Sequence, residues 1–332
     1  SLWLDKEASW QNDRLYLPHE ITDLSLLPVN VPTGGWQTLS HNPDAVPVEV
    51  PGTVEEYLTV TDNPRPENFR GVSWWYRKIT IPADQQKKRF IIYFESVRMR
   101  AEVYLDGKLV AYDLIGETPF HVDITDEAKP GKEQLLAIRV TNPGGNFHWQ
   151  DFDIMKWGEY NIPPSRSFTG IIGRVKLESV NPVFISDIYM QNTPELTKVN
   201  AILSFTNETS SSVKQDVELI VNEKGNPDKV VFRQTLKAIS FPAGNHEVTI
   251  PVNVPDAKLW DLSTPELYTC NVLIKKGKKT LDQDKKDFGF RWFTVDGVGK
   301  DAVLRLNGRR IMLRSAISWG YFPVTGLIAT TE

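Results

Sequence analysis

With 332 residues the chain is long enough for two or three domains, and 40% hydrophobic with 24% charged residues is ordinary for a globular protein. Its 42 acidic and 38 basic residues give a formal net charge of −4, which argues against a nucleic-acid-binding protein, since such proteins carry a basic stripe. A single cysteine excludes an internal disulfide and a cysteine-based metal cluster, and five histidines without ligand spacing predict no metal site, so no cofactor is expected.

The chain begins with SLWLDKEASW, which lacks the apolar run of a signal peptide. Either a signal peptide has been removed or there never was one, and the sequence does not distinguish the two cases. A periplasmic or extracellular location is favoured over a cytoplasmic one. No apolar run approaches the roughly 18 residues of a membrane span, so no membrane contact is expected.

Residues 1–181 are predicted to form a jelly-roll sandwich. Helical periodicity is nearly absent, and 22 Pro with 21 Gly leave little room for long helices. Runs rich in β-branched and aromatic residues instead predict strands at Trp74–Ile81, Arg89–Val97, Ala101–Leu105, Lys108–Tyr112, Leu135–Val140 and Arg174–Leu177. Asp106-Gly107 between two of these runs predicts a tight hairpin. Trp74 and Trp75 are assigned to the core rather than to a polar patch with Arg65, Glu67 and Arg70.

Residues 182–296 are predicted to form an immunoglobulin-like β-sandwich. Such a domain has about seven short strands in about 100 residues, and six are recognised here, at Val183–Met190, Val199–Thr206, Lys214–Val221, Val230–Leu236, His246–Val252 and Tyr268–Lys275. The Cys…Trp…Cys pattern of antibody domains is absent, so only the architecture is predicted. Asn181-Pro182 marks the boundary, because an X-Pro step stiffens an extended connection.

Residues 297–332 are predicted to form a hairpin that leads into another sheet. Asn307-Gly308 lies between Val303–Leu306 and Arg309–Leu313, and this pair is a strong hairpin signal because both residues tolerate positive φ. The apolar run from Ile311 to Trp319 predicts a strand that is covered on both faces. The sequence ends soon afterwards, at Glu332, so we expect the partner strands to lie outside it.

The segment 146–168, NFHWQDFDIMKWGEYNIPPSRSF, combines aromatic and charged residues between two predicted strands. Sugar C–H faces pack on aromatic rings and carboxylates accept hydrogen bonds from hydroxyls, so this mixture is typical of a carbohydrate site. The candidate substrate-binding residues are Trp149, Asp151, Asp153, Trp157, Glu159 and Arg166. Packing of the segment against a neighbouring domain explains its composition equally well.

Asp151 and Asp153 form an Asp-x-Asp pair that resembles the two carboxylates of a glycosidase. Alternate side chains of one strand share a face and an environment, which gives them no reason for different pKa values. A contact with a hydroxyl or a cation is therefore expected of them, and no catalytic residue is assigned.

Several short motifs follow one another in an order that resembles glycoside hydrolase family 2, the family of β-galactosidases, β-glucuronidases and β-mannosidases. No motif is specific alone, but the ordered series covers about 270 residues. The motifs are VPGT at 50–53, VSWWYR at 72–77, FESV at 94–97, AEVYLDG at 101–107, TPF and VDIT at 118–125, TGIIGRVKL at 169–177, LWD at 259–261, PELY at 265–268, FGFR at 288–291 and LNG at 306–308.

The resemblance implies a galactose-binding-like jelly roll, then an immunoglobulin-like domain, then a (β/α)₈ barrel of which only a stub is present here. In that family both catalytic glutamates lie inside the barrel, so this chain alone is expected to be inactive. Ile317 and Trp319 stand where many members have the Asn and His of an R-G-x-N-x-H motif, which removes two polar substrate contacts. The resemblance also implies that an acidic residue of the 146–168 segment reaches the active site, and Asp151, Asp153 and Glu159 are the candidates.

Three functions remain open at this point. The chain is the non-catalytic part of a retaining β-glycosidase, with carbohydrate and the missing catalytic barrel as partners. Alternatively, it is a carbohydrate-binding module that acts alone through the 146–168 segment, or it is a structural module for docking or homo-oligomer contacts. Nucleic acid is not expected as a partner. The first function rests on fold-level analogy.

Overall fold

The computed structural model describes residues 1–8, 24–27, 29–58, 69, 71–98, 100–113, 118–142, 156–157, 160–161 and 169–316. These residues divide into two compact units, within 1–179 and 180–316. The predicted all-β fold is confirmed, since the described residues contain only two α-helices, each of four residues, α1 (Thr38–His41) and α2 (Val54–Tyr57). None of the helices in the described part of the chain is long and apolar enough to cross a lipid bilayer.

The first unit is built from antiparallel sheets that face each other. A five-stranded sheet has the order β1-β3-β8-β5-β6, and a three-stranded sheet has the order β12-β4-β7. Two short strand pairs, β2 with β11 and β9 with β10, complete the first unit. The strands are β1 (Leu2–Asp5), β2 (Gly52–Thr53), β3 (Gly71–Thr80), β4 (Arg89–Phe94), β5 (Arg100–Leu105), β6 (Lys108–Asp113), β7 (Phe120–Asp123), β8 (Glu133–Asn142), β9 (Lys156–Trp157), β10 (Tyr160–Asn161), β11 (Gly170–Ile171) and β12 (Val175–Val180).

The five-stranded sheet is buried on both faces. Its inner face packs on the three-stranded sheet, in a cluster that includes Trp75, Val103 and Ile92. Its outer face carries Trp74 and Tyr104, which are covered by Leu24, Leu27, Trp36 and Leu39. Both Trp side chains are therefore in the core, as predicted, but they belong to different clusters because neighbouring side chains of a strand point to opposite faces.

The Asp106-Gly107 turn joins β5 and β6 as the sequence predicted. Both residues have positive φ, 49° and 83°, as a two-residue turn that matches strand twist requires. Trp36 packs against this turn, so closely that a Cβ on Gly107 would lie 3.0 Å from its ring. The turn is thus fixed from the outside by the residues that cover the sheet.

The second unit contains a seven-stranded sandwich with a three-stranded sheet, β13-β14-β17, and a four-stranded sheet, β16-β15-β18-β19. Six of the strands coincide with predicted ones, and β19 is the strand that the sequence did not reveal. Its strands and those of the small sheet that follows are β13 (Val183–Asn192), β14 (Lys198–Asn207), β15 (Val213–Glu223), β16 (Val230–Phe241), β17 (Gly244–Asn253), β18 (Tyr268–Lys276), β19 (Lys279–Phe288), β20 (Phe293–Asp296), β21 (Val303–Leu306) and β22 (Arg309–Arg310).

The core of the second unit follows the alternation of its strands. On β14, Val199, Ala201, Leu203 and Phe205 all point inward. Tyr268 joins Phe288 and Phe290 in an aromatic cluster with ring centroids 5.1–6.0 Å apart. This cluster closes one end of the sandwich.

The predicted Asn307-Gly308 hairpin is present between β21 and β22. Asn307 has a φ of 50° and Gly308 a φ of 79°. The Asn307 side chain also accepts a hydrogen bond from Trp292 N at 2.9 Å and donates one to Trp260 O at 2.9 Å. The turn therefore ties the small sheet, β20-β21-β22, to residues that border the sandwich.

The predicted strand from Ile311 to Trp319 is not formed in its described part. Strand β22 ends at Arg310, and residues 311–316 have no regular structure. Met312 and Leu313 are 74% and 64% exposed, because no described strand lies beside them to complete a sheet. Residues 317–332, which include Ile317 and Trp319, lie outside the described residues, and the barrel stub stays a prediction.

Candidate functional site

Four strands of the first unit end at the same edge of the five-stranded sheet. Asp5 at the end of β1 pairs with Val72, and Gly71 at the start of β3 pairs with Asn142 at the end of β8. Arg100 at the start of β5 lies on the other side of β8. Phe69 and Asn142 at this end border stretches 59–68 and 143–155, which are outside the described residues, and we call this end of the sheet the loop end.

Most of the predicted site residues lie outside the described part of the chain. These are Trp149, Asp151, Asp153, Glu159 and Arg166, and with them the Asp-x-Asp pair. Trp157 lies in β9, which pairs antiparallel with β10, so that Trp157 is opposite Tyr160. Arg65, Glu67 and Arg70 are also outside the described residues. That the six candidates contact one ligand stays a prediction.

The outer face of the sheet holds a buried ion pair near the loop end. Arg139 Nη1 donates to Glu102 Oε1 at 2.7 Å, and the side chains are 2% and 4% exposed. Glu102 Oε2 accepts from Tyr104 Oη at 2.6 Å and from Asn30 Nδ2 at 2.8 Å, while Arg139 also donates to Thr141 Oγ1. Burial and the adjacent Glu102 carboxylate raise the pKa of Tyr104, so its hydroxyl remains a donor.

Two further charged groups flank this ion pair. Arg100 Nη2 lies 3.9 Å from Glu102 Oε1 and is 3% exposed, which adds a second cation. Asp5 Oδ2 accepts from Thr33 N at 2.9 Å and from Trp74 Nε1 at 3.2 Å, whereas buried Asp5 Oδ1 accepts no hydrogen bond within the described structure. Buried charged side chains therefore lie at the loop end of the sheet.

A buried carboxylate also joins the chain segments that border the loop end. Glu55 of α2 accepts from Phe69 N at 3.1 Å through Oε1 and from Thr169 N at 3.2 Å through Oε2. Asn142 Nδ2 donates to Phe69 O at 2.7 Å, and Thr169 Oγ1 donates to Arg98 O at 2.9 Å. The residues next to segments 59–68 and 143–168 are thus held by side-chain hydrogen bonds.

Gly170 permits the closest of these approaches. Its φ is +153°, and a Cβ there would lie 2.4 Å from Gly52 O. The two strands β2 and β11 pair at this point, with Gly170 opposite Thr53. Any larger residue would force β11 away from β2, and glycine is therefore required here.

A separate cleft of about 850 Å³ lies along β3 beyond the start of β1, at Ser1. Its lining is mainly apolar and includes Trp75, Ile79, Ile92 and Leu177. A volume of this order suits a small ligand. The described lining does not include Glu55, Glu102 or Arg139, so the cleft is distinct from the loop end.

The second unit offers no comparable site among its described residues. Glu218 accepts from Lys275 and Arg233 at 2.9 and 2.6 Å, and these bonds lower its pKa. Burial raises the pKa of the Cys270 thiol to about 12, which makes it a poor nucleophile. Across the described residues of both units, no three His, Cys, Asp or Glu side chains form a group that could hold a metal ion.

Sequence reasoning did not find the buried charges of the loop end. Glu102 and Tyr104 lie on the outer face of the sheet, and both are buried there because Leu24, Leu27, Trp36 and Leu39 cover that face. A usable signal existed, because Glu102 and Arg139 each stand between apolar neighbours of a predicted strand. Once β5 is known to pair with β8, these opposite charges become directly adjacent.

Two family models match the chain one after the other. The model of the glycosyl hydrolases family 2, sugar binding domain, matches residues 28–162. The model of glycosyl hydrolases family 2 matches residues 183–291. Together they cover both units in the order that the motifs predicted.

Individual proteins give similar matches. A β-glucuronidase of Formosa agariphila is 26% identical over 267 residues, which are 77% of this chain and 26% of that protein. A β-galactosidase of Thermoanaerobacter pseudethanolicus is 27% identical over 261 residues, 78% of this chain and 33% of that protein. The chain therefore spans about a quarter to a third of the length of these curated relatives.

Solved structures show the same fold. The β-glucuronidase of Bacteroides uniformis superimposes with a TM-score of 0.65 at 22% identity, over 86% of this chain and 33% of that chain. A glycosyl hydrolase family 2 member from Bacteroides cellulosilyticus gives 0.64 at 22% identity, over 79% of this chain and 34% of that chain. At this level of identity the likeness concerns the fold alone.

Proposed function

Because this chain belongs to glycosyl hydrolase family 2, we propose that it serves a β-glycosidase as its non-catalytic sugar-binding and immunoglobulin-like part. The succession of the two family matches is the observation that carries the proposal. Curated relatives named β-glucuronidase and β-galactosidase make β-glucuronides and β-galactosides the first substrates to examine.

The proposed chemistry of the whole protein is hydrolysis with retention of configuration. That reaction needs two carboxyl groups about 5 Å apart, one as the acid and base and one as the nucleophile. We assign neither role to a residue of this chain, which covers about a quarter to a third of its curated relatives. On this proposal the chain alone does not hydrolyse glycosides, and its loop end contributes one wall of the sugar site.

The anchoring of the 143–168 segment supports a sugar contact there. Asn142 precedes it and Thr169 follows it, and both residues are buried and hydrogen-bonded, Asn142 Nδ2 to Phe69 O and Thr169 N to Glu55 Oε2. A binding segment gains affinity when its ends are ordered before the ligand arrives, because less conformational entropy is lost on binding. The candidate contacts remain Trp149, Asp151, Asp153, Trp157, Glu159 and Arg166.

The test is a titration of this chain with β-glucuronides, β-galactosides and their oligosaccharides by calorimetry, next to a turnover assay with chromogenic β-glycosides. We expect saturable binding without turnover, and a loss of about tenfold in affinity for Trp149→Ala or Trp157→Ala. Tyr189→Ala is the matched control, since this aromatic side chain of the second unit is 54% exposed. Enzyme-like turnover would overturn the assignment of the catalytic carboxylates.

A docking role for the second unit is supported by a separate observation. Phe293, Val295, Met312 and Leu313 are 48–74% exposed around the small sheet. Exposed apolar residues that lie together often mark contact surfaces. If the titrations show no sugar binding and light scattering shows that the chain associates, docking or homo-oligomer contact becomes the better assignment.

A further inference from the structure

We propose that β3 binds an extended acidic peptide of a partner protein as an added strand along residues 77–80, which we call the free edge. The strand β1 pairs with β3 only as far as Ser1, whose amine donates to Tyr76 O at 2.9 Å and whose carbonyl accepts from Tyr76 N at 2.9 Å. Beyond Tyr76, no strand of the described residues lies on this side of β3. The surface is separate from the loop end, so the inference does not depend on sugar binding.

The free edge presents main-chain donors and acceptors to an incoming strand. In an antiparallel ladder each residue directs its N–H and its C=O to the same side, and that side alternates along the strand. Tyr76 directs both groups to Ser1, so Lys78 and Thr80 direct theirs to the free edge, while Arg77 and Ile79 face β8. No main-chain group of the described residues bonds to Lys78 or Thr80 on that side. An added strand would bond to these groups as β1 bonds to Tyr76.

A cleft lies beside the free edge on each face of the sheet. The cleft of about 850 Å³ is on the inner face, where Ile79 and Leu177 line it. A second cleft, of about 440 Å³, is on the outer face, where Leu39 and His41 line it. Residues 76–78 line both clefts. Successive side chains of an added strand would enter the two clefts in turn, whereas a small ligand would occupy only one of them.

The side chains of β1 indicate which residues the added strand should carry. Leu2 belongs to the inner cluster and Trp3 packs on the outer one, so a strand in line with β1 would continue this alternation. Its residues opposite Arg77 and Ile79 would face the inner cleft, and the residue opposite Lys78 would face the outer one. We therefore expect an apolar residue opposite Ile79 and an acidic residue opposite Arg77.

Charge favours an acidic peptide over a second copy of this chain. Residues 77–80 read RKIT and contain no acidic side chain. Lys78 pairs with Glu133 at 2.7 Å, whereas Arg77 has no carboxylate partner among the described residues. Two copies that paired through this edge would bring four cations together, and like charges across neighbouring strands are destabilising. An acidic side chain of a different protein would instead neutralise Arg77.

The experiment titrates the ¹⁵N-labelled chain with a blocked peptide of about seven residues, in which valine and threonine alternate and one inward position is glutamate. We expect saturable binding, with the amides of Lys78 and Thr80 shifted downfield and exchanging with deuterium about tenfold more slowly. The amides of Arg77 and Ile79, which already face β8, should change little. A peptide with lysine in place of the glutamate should bind about fivefold more weakly.

A pair of matched variants tests the inner cleft. Leu177 lines this cleft and is 43% exposed, and Val230 of the second unit is 41% exposed. Leu177→Asp places a carboxylate where the apolar side chains of the peptide would enter and beside the Arg77 that would bind its glutamate. We expect it to weaken peptide binding about tenfold, and Val230→Asp to leave binding unchanged.

Three results would overturn the proposal. The first is a titration without saturable change, and the second is an amide response that does not alternate between residues 77, 78, 79 and 80. The third is slow exchange of the Lys78 and Thr80 amides in the dilute chain without peptide, because the edge would then already be covered. If that protection appears only at concentrations where light scattering shows association, the occupant is a second copy and not an acidic peptide. None of these measurements requires a variant to fold.

Discussion

Replacing Arg139 with methionine tests whether the buried ion pair is a structural requirement of the first unit. Methionine replaces the aliphatic part of the arginine side chain and removes the cation that faces Glu102. Glu102 would keep its bonds from Tyr104 Oη and Asn30 Nδ2, and Arg100 would remain 3.9 Å away. The carboxylate would therefore lose its closest charged partner but not every donor.

The expected loss of unfolding free energy is about 3 kcal/mol. Breaking a buried pair by removing one partner costs about 3–5 kcal/mol, and the remaining donors of Glu102 place this case at the lower end. Part of the loss is the hydrogen bond from Arg139 to Thr141 Oγ1 at 3.0 Å, which is worth about 1 kcal/mol. Adding Glu102→Gln removes the stranded charge, so the double variant should lose less than the sum of the single losses.

Urea unfolding followed by circular dichroism measures these losses. Lys78→Met is the matched control, because the Lys78–Glu133 pair is equally short at 2.7 Å but 59% and 58% exposed, and it should cost below about 1 kcal/mol. A loss below about 1 kcal/mol for Arg139→Met would refute the reasoning, since the buried charge would then be tolerated without its partner. Losses that simply add in the double variant would also refute it.

Gly170→Ala should strongly lower the unfolding temperature of the first unit, because the new Cβ would lie 2.4 Å from Gly52 O. Gly225→Ala is the control: this residue has a φ of +81° and open space around it, so the substitution should cost the second unit only the backbone strain. A similar loss at both sites would show that the close contact does not matter. Asn307→Gly keeps the turn conformation but removes the bonds to Trp292 N and Trp260 O, so the Trp292 amide should exchange with deuterium faster while the sandwich amides do not. An unchanged Trp292 rate would contradict the role given to Asn307. The Cys270 thiol, with its pKa raised to about 12, should not react with a chromogenic disulfide reagent at pH 8 until urea unfolds the second unit. Reaction in the native protein would mean that this part of the core opens.

The sequence predicted most strands because their apolar residues alternate and their turns are explicit. Strand β19 was missed for a physical reason: it lies at the edge of its sheet and reads KTLDQDKKDF, with most side chains exposed. Charged side chains are common on edge strands, where they discourage pairing with other chains, and they also hide the strand from a hydrophobicity pattern.

The site was less predictable than the fold. The segment composition indicated where aromatic and acidic residues gather, but it contained no information about what holds that segment. Glu55 lies about 90 residues before it, and its partners Phe69 and Thr169 contribute only main-chain N–H groups. Main-chain donors carry no sequence signature, so this link becomes visible only in three dimensions.

Strand β3 places two neighbouring indole rings in two separate hydrophobic environments. Trp75 belongs to the cluster between the sheets, whereas Trp74 lies under the outer cover, where it packs edge to face with Trp36 and at a tilt against Tyr104, at ring-centroid distances of 5.5 and 5.7 Å. Fluorescence from each ring, isolated by replacing the other nine tryptophans of the chain with phenylalanine, would report on a different layer of the same strand. A single pair of adjacent fluorophores can thus reveal whether the outer cover detaches before the sandwich melts or whether both layers are lost in one cooperative step.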